Sequence, residues 1–205
     1  MSRQGKESIR FWLSVLIRPK QELIILRQES SWGWPLFFMT SIQAFLYYLI
    51  AMSEPTVLDV FGPVADLSGL LFALYGAVSV PLTLVMSSFV QWLIALLMRE
   101  RLNYRKLFQL NIYLWLVILL KDLVILISVT GFEADFSAPV SSLAYYLELE
   151  EPVDRLAGMV ELFSIWHFSL VALGLQAVFS LPPKKAWIIA LEAFFAEAGL
   201  ILLLA

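Results

Sequence analysis

The stretch Leu107–Val129, LFQLNIYLWLVILLKDLVILISV, decides how the whole chain is read. It is long and apolar enough to cross a bilayer as one helix, which takes about 20 predominantly apolar residues. Lys121 and Asp122 nevertheless sit well inside it. On insertion scales a charge at the centre of a membrane helix costs roughly 2.5–3.5 kcal/mol. Adjacent side chains diverge by about 100° around a helix, so these two cannot neutralise each other across one face. Each needs its own counterpart: another helix, a wet cavity, or the headgroup layer reached by snorkelling. The stretch therefore predicts an all-α membrane protein with other helices packed around it.

The composition agrees. Of 205 residues, 60% are hydrophobic and 15% charged, more apolar and less charged than a soluble domain of this size. The excess is gathered in long uninterrupted runs, which is a membrane pattern rather than an oversized core. The net charge of −3 says little, because the charges are segregated along the chain. Cysteine is absent, which excludes disulfides, thiolate metal sites and cysteine nucleophiles. The apolar run Ile9–Ile17 is too short for a cleavable signal peptide, and no small-residue cleavage site follows it.

Outward from the central stretch, residues 1–33 read as a basic arm. Ile9, Trp12, Leu13 and Leu16 share a helical face, Pro19 interrupts, and a second short helix is expected over Gln21–Gln28. Both helices are expected to lie on the inner leaflet. Residues 34–205 are expected to form a five-helix transmembrane domain with spans at about 35–52, 68–98, 107–130, 156–181 and 185–204. Trp32 and Trp34 mark one water boundary of the first span, and Tyr47 and Tyr48 lie toward the other. Pro81 is expected to kink the second span. Its Gly69, Ala73 and Ala77 form a small-residue stripe for close helix packing, within the chain first and in a homo-oligomer second. A short surface helix is expected between Pro139 and Leu149.

The orientation follows from the cations. Of the 14 Lys and Arg residues, six lie in residues 1–33, four in 99–106 and two at 184–185. Arg10, Arg18, Lys20, Arg99, Arg101, Arg105, Lys106, Lys184 and Lys185 are thus the candidate membrane-surface cations. The opposite loops carry Arg155 alone, against Glu133, Asp135, Glu148, Glu150, Glu151 and Asp154. This asymmetry predicts five crossings with the N-terminus cytoplasmic and the C-terminus outside.

Polar residues inside the spans are the candidate functional set. At 1.5 Å per residue from the cytoplasmic ends, Lys121 and His167 lie ~21 Å deep and Glu197 ~18 Å. With Asp122 they are expected to form one layer. Gln91, Gln176 and Glu192, at ~8–12 Å, are expected to form a second. Glu161 falls near the outer boundary and is expected to be wet. The structural reading is a polar network that fixes which helix packs on which. The functional reading is a proton or ion relay, since buried carboxylates, Lys and His exchange charge. One histidine cannot build a multi-His metal site. No glycine-rich phosphate loop, HExxH or G-x-S-x-G elbow is present, so neither catalysis nor a cofactor is expected. The basic residues hug the membrane ends rather than interleaving with aromatics, which argues against nucleic-acid binding. The expected partners are the lipid bilayer and another membrane protein or complex.

The C-terminal hairpin, with Glu161-Leu162-Phe163-Ser164-Ile165-Trp166, Leu173-Gly174-Leu175, Lys184-Lys185-Ala186 and a final apolar helix, resembles the YIP1 family of integral membrane proteins. Arg18-Pro19-Lys20 ahead of an interfacial helix is similar. So is Arg99–Tyr113, RERLNYRKLFQLNIY, a basic turn leading into the third span. The resemblance implies a five-span, N-in protein of membrane organisation. Eukaryotic members act in vesicle trafficking with small GTPases through a cytosolic N-terminal region. The short arm here looks like the bacterial form, some of whose members are thought to assist assembly of other membrane complexes, including ABC-type exporters, in the inner membrane. The resemblance carries over no catalytic residues.

Overall fold

The computed structural model describes residues 14–28, 31–53, 67–132, 140–147, 157–158 and 160–204. Regular structure among them is helical: α1 Pro19–Leu23, α2 Gly33–Ser53, α3 Ser68–Leu97, α4 Tyr104–Leu114, α5 Leu116–Phe132, α6 Leu162–Phe179 and α7 Pro183–Leu204. Among the described residues, the one backbone pairing of strand type is an isolated antiparallel bridge between Ser142 and Glu161. Among the described residues, four helical stretches are long and apolar enough to cross a membrane: α2, α3, α4 with α5, and α6. The 22-residue α7 is not among these four; it carries Lys184, Lys185, Glu192 and Glu197.

Local chemistry sets several helix ends. Asn103 caps α4, its side chain accepting from the backbone N–H of Lys106 at 3.2 Å, which satisfies one of the four orphan donors of a helix start. The central stretch is interrupted only at Trp115, whose N–H is shared between the carbonyls of Asn111 and Ile112. Half of that span is buried, against about a fifth of α3, so the helix that carries Lys121 and Asp122 is also the most enclosed. Pro81 lies inside α3 without ending it. Membrane helices tolerate such a proline because neighbours re-satisfy the freed carbonyl. At the end of α3, Arg99 takes φ 62°. Its N–H bonds the carbonyl of Leu96, and that of Glu100 bonds Ala95, a Schellman ending.

Three expectations are corrected. In place of a helix over Gln21–Gln28 there is one α turn, Pro19–Leu23, followed by a 3-10 turn, Ile24–Arg27. Pro19 favours the first helical position, and the β-branched pair Ile24-Ile25 propagates an α-helix poorly. The fourth span begins at Leu162 rather than 156, because Glu161 stays extended to pair with Ser142. Leu162 N–H donates to Ser141 and Leu143 N–H to Val160. That pairing also reduces the expected surface helix after Pro139 to a 3-10 turn, Ala144–Tyr146.

The chain divides into two compact units. The first comprises residues 1–33, 84–117 and 166–205. Its core is Leu107, Leu110 and Ile112 of α4, Leu175 of α6, Ile189 and Ala193 of α7, and Leu23 and Leu26 of the arm. Phe168 of α6 meets Phe194 of α7 edge to face, with ring centroids 5.3 Å apart. Gly174 is where α6 approaches α4 most tightly: a Cβ there would stand 2.7 Å from Cδ1 of Leu110 and 3.0 Å from its Cδ2. Leu110 is fully buried and cannot swing away freely. Gly174→Val is expected to cost about 1–3 kcal/mol by overpacking. The added substitution Leu110→Ala should recover part of that loss in thermal unfolding of the micelle-solubilised protein.

The second unit comprises residues 34–83 and 118–165. Ile50, Ile125 and Val129 pack together with Phe72 and Leu126. A Cβ on Gly69 would meet Tyr48 and Met52 of α2, and one on Gly76 would meet Tyr47 and the Gln43 carbonyl. The close approach of α3 to α2 thus runs through Gly69 and Gly76, two helical turns apart, whereas the sequence suggests the stripe Gly69–Ala73–Ala77.

Candidate functional site: intramembrane polar clusters

Each compact unit holds its own polar cluster. In the second, Asp122 is buried and its Oδ2 accepts a short hydrogen bond from the side-chain amide of Gln43 on α2. Gln43 is itself buried. The carboxylate thus ends in an amide supplied by another helix, the kind of counterpart its position demands. Lys121 turns to Glu161, with Nζ 3.2 Å from Oε2. Glu161 is 4% exposed and also accepts from the Ser141 hydroxyl at 2.7 Å and the Ser164 hydroxyl at 3.3 Å. Glu161 is therefore an enclosed ion-pair partner rather than a wet boundary residue. The Ser142–Glu161 bridge holds its backbone beside the strap that provides Ser141.

In the first unit, Asn111 of α4 and Gln91 of α3 exchange amide hydrogen bonds at 3.1 and 3.3 Å. Asn111 also donates to Ser88 at 2.8 Å, and Gln91 to Ser87 at 3.1 Å. The Glu197 carboxylate of α7 lies beside Ser87. Its Oε1 is shut off from solvent with no hydrogen-bond partner among the described residues. His167 is buried, its ring edge-on to Phe168.

The expected single layer is thus divided between units, with Lys121 and Asp122 in the second and His167 and Glu197 in the first. The expected lower layer keeps only Gln91. Gln176 donates to the Ala172 carbonyl of its own helix at 3.1 Å, and Glu192 is exposed on α7, so neither reaches it. Gln43, Asn111, Ser87, Ser88 and Glu161 complete the clusters. Their signal in the sequence was faint: lone polar residues in otherwise apolar helices.

Arg10 lies outside the described residues and Arg105 is exposed on α4; the other candidate surface cations fall into two groups. Several serve as ties within the first unit. Lys106 Nζ donates to the carbonyls of Leu26 and Arg27 at the end of the arm. Arg27 Nε donates to the Ala177 carbonyl at 2.6 Å, and its Nη2 to the Ser180 hydroxyl at 2.7 Å. It thereby caps the C-terminal end of α6, where Ser180 takes φ 57° and a cation is favoured. Lys185 pairs with Glu100. The three cation-bearing segments, the arm, the 99–106 turn and the 184–185 turn, are therefore fastened together. By contrast, the Arg18, Lys20, Arg99, Arg101 and Lys184 side chains are exposed and free of such bonds among the described residues. No group of three or more His, Cys, Asp or Glu side chains able to hold a metal occurs among those residues.

A Yip1 domain profile matches residues 13–205. The chain belongs to the Yip1 family. The match takes in the arm as well as the helical region, so in this Yip1-family protein the docked segment Ser14–Gln28 is part of the domain. No curated protein matches the chain, and no solved structure does.

Proposed function

We propose that this Yip1-family protein is a non-enzymatic adaptor or assembly factor for other membrane proteins, crossing the bacterial inner membrane five times with its N-terminus cytoplasmic and its C-terminus outside. The observation that carries the reading is that its buried charges end in fixed partners of the same chain: Asp122 in Gln43, and Lys121 in Glu161. Groups held this way give helix register and shape rather than a path for ions. The fastening of the three cation-rich segments supports a single cytoplasmic face. The fifth crossing would be α7, whose 22 residues amount to about 33 Å of helix. Affinity capture of the full chain from native membranes should retain one membrane protein at near-stoichiometric amount under mild detergent. Recovery of the chain alone, across several detergents, would remove the adaptor reading.

A second reading, a small proton- or ion-coupled transporter, is favoured by one observation. Glu197 Oε1 is enclosed and has no hydrogen-bond partner among the described residues, beside the Ser87, Gln91 and Asn111 cluster, and intramembrane carboxylates of that kind bind protons or cations.

A further inference from the structure

A shallow groove of about 350 Å³, largely open on one side, lies in the first unit among Arg18, Pro19, Lys20, Gln21 and Leu173. Its walls are of opposite character. One is the arm, with the exposed side chains of Arg18 and Lys20 engaged in no hydrogen bond or ion pair among the described residues. The other is Leu173 of α6, an apolar residue six positions before the end of that helix at Phe179. At 1.5 Å per residue, Leu173 lies ~9 Å inside the helix end. The headgroup layer of a leaflet is roughly 5–8 Å thick, so the two walls meet where phosphates give way to acyl chains. The flanks fit that level: Ile17, Ile24 and Ile25 are exposed on the arm, as an interfacial segment requires.

We propose that Arg18 and Lys20 hold the phosphate of an anionic phospholipid whose acyl chain lies along Leu173. A guanidinium forks onto two phosphate oxygens and an ammonium adds a point charge. Two cations against one phosphate leave an excess positive charge, which repels the choline of a zwitterionic lipid and accepts a headgroup of net negative charge. The groove is large enough for a glycerophosphate group but not for the chains, which leave over Leu173. The inference rests on the chain's being embedded in a membrane, not on its having a protein partner.

Native mass spectrometry of the full chain in a neutral detergent tests it, with phosphatidylglycerol, phosphatidylcholine and inorganic phosphate added separately. One phosphatidylglycerol should be retained in preference to phosphatidylcholine, and inorganic phosphate should not displace it. Arg18→Gln with Lys20→Gln should weaken retention roughly 30-fold, five- to six-fold for each cation near an anionic surface. Leu173→Trp, which fills the groove and leaves both charges, should also weaken it. Arg101→Gln with Lys184→Gln removes the same charge elsewhere and should leave it unchanged. Equal weakening by that control pair would mean general charge attraction and overturn the proposal. So would unaltered binding in the Arg18/Lys20 pair, or displacement by inorganic phosphate.

Discussion

Gln43→Leu is expected to destabilise the protein by about 2–4 kcal/mol, the largest effect of any single uncharged side chain. The substitution removes the amide that Asp122 Oδ2 accepts from, in a site where the carboxylate is buried. A neutral interhelical hydrogen bond in a membrane averages only about 0.6 kcal/mol, but stranding a buried charge costs several times more. Asp122→Asn preserves shape and most of the bonding, and should cost far less. The diagnostic variant is the pair Gln43→Leu with Asp122→Leu. Replacing both partners with apolar groups removes the stranded charge, so the pair should be markedly more stable than Gln43→Leu alone. Additive losses in that double-mutant cycle, read by thermal or denaturant unfolding in micelles, would show that the two side chains do not depend on each other.

Glu161→Ala ranks next. It strips Lys121 of its partner and leaves the Ser141 and Ser164 hydroxyls without their acceptor. Breaking a fully buried pair costs about 3–5 kcal/mol. The Lys121 side chain keeps 27% of its surface accessible, and solvent screening lowers the expectation to about 2–3 kcal/mol. For a chain of this size that is a fall in Tm of roughly 4–12 °C. Glu161→Gln, which still accepts from both serines, should fall between. Lys121→Met in the Glu161→Ala background should restore stability, because no ammonium is then left unpaired. A Glu161→Ala protein within about 0.5 kcal/mol of wild type would return Glu161 to the wet boundary residue that its place in the sequence suggests.

What the sequence made legible and what it hid have separate physical causes. Span length and apolarity are local properties, so α2, α3, the central stretch and α6 could be read within a few residues of their ends. The exception, the start of α6, was displaced by a long-range event: Ser141 and Ser142 reach Glu161 across a loop and hold it extended. Partner choice is wholly non-local. Lys121 and Asp122 announced that each needed a counterpart, but nothing near them named Gln43, 79 positions away, or Glu161, 40 positions away. A depth estimate from the helix ends ranks residues by height alone. It grouped Lys121 and Asp122 with His167 and Glu197, which belong to the other compact unit. Height also said nothing of direction around the helix, and so Glu192 was ranked with Gln91 although it is exposed. The gathering of the cations into three segments was legible. The use of Arg27 and Lys106 as caps on helix ends and backbone carbonyls was not, since it depends on where the arm docks.

We propose that Lys121, Asp122 and Glu161 are consumed in holding the protein together rather than in moving ions. Proton flux into liposomes reconstituted with the purified protein, under an imposed pH gradient, tests it most directly. Wild type, Asp122→Asn and Glu197→Gln should all match protein-free liposomes. A pH-driven flux through the wild type that disappears in either variant would contradict it.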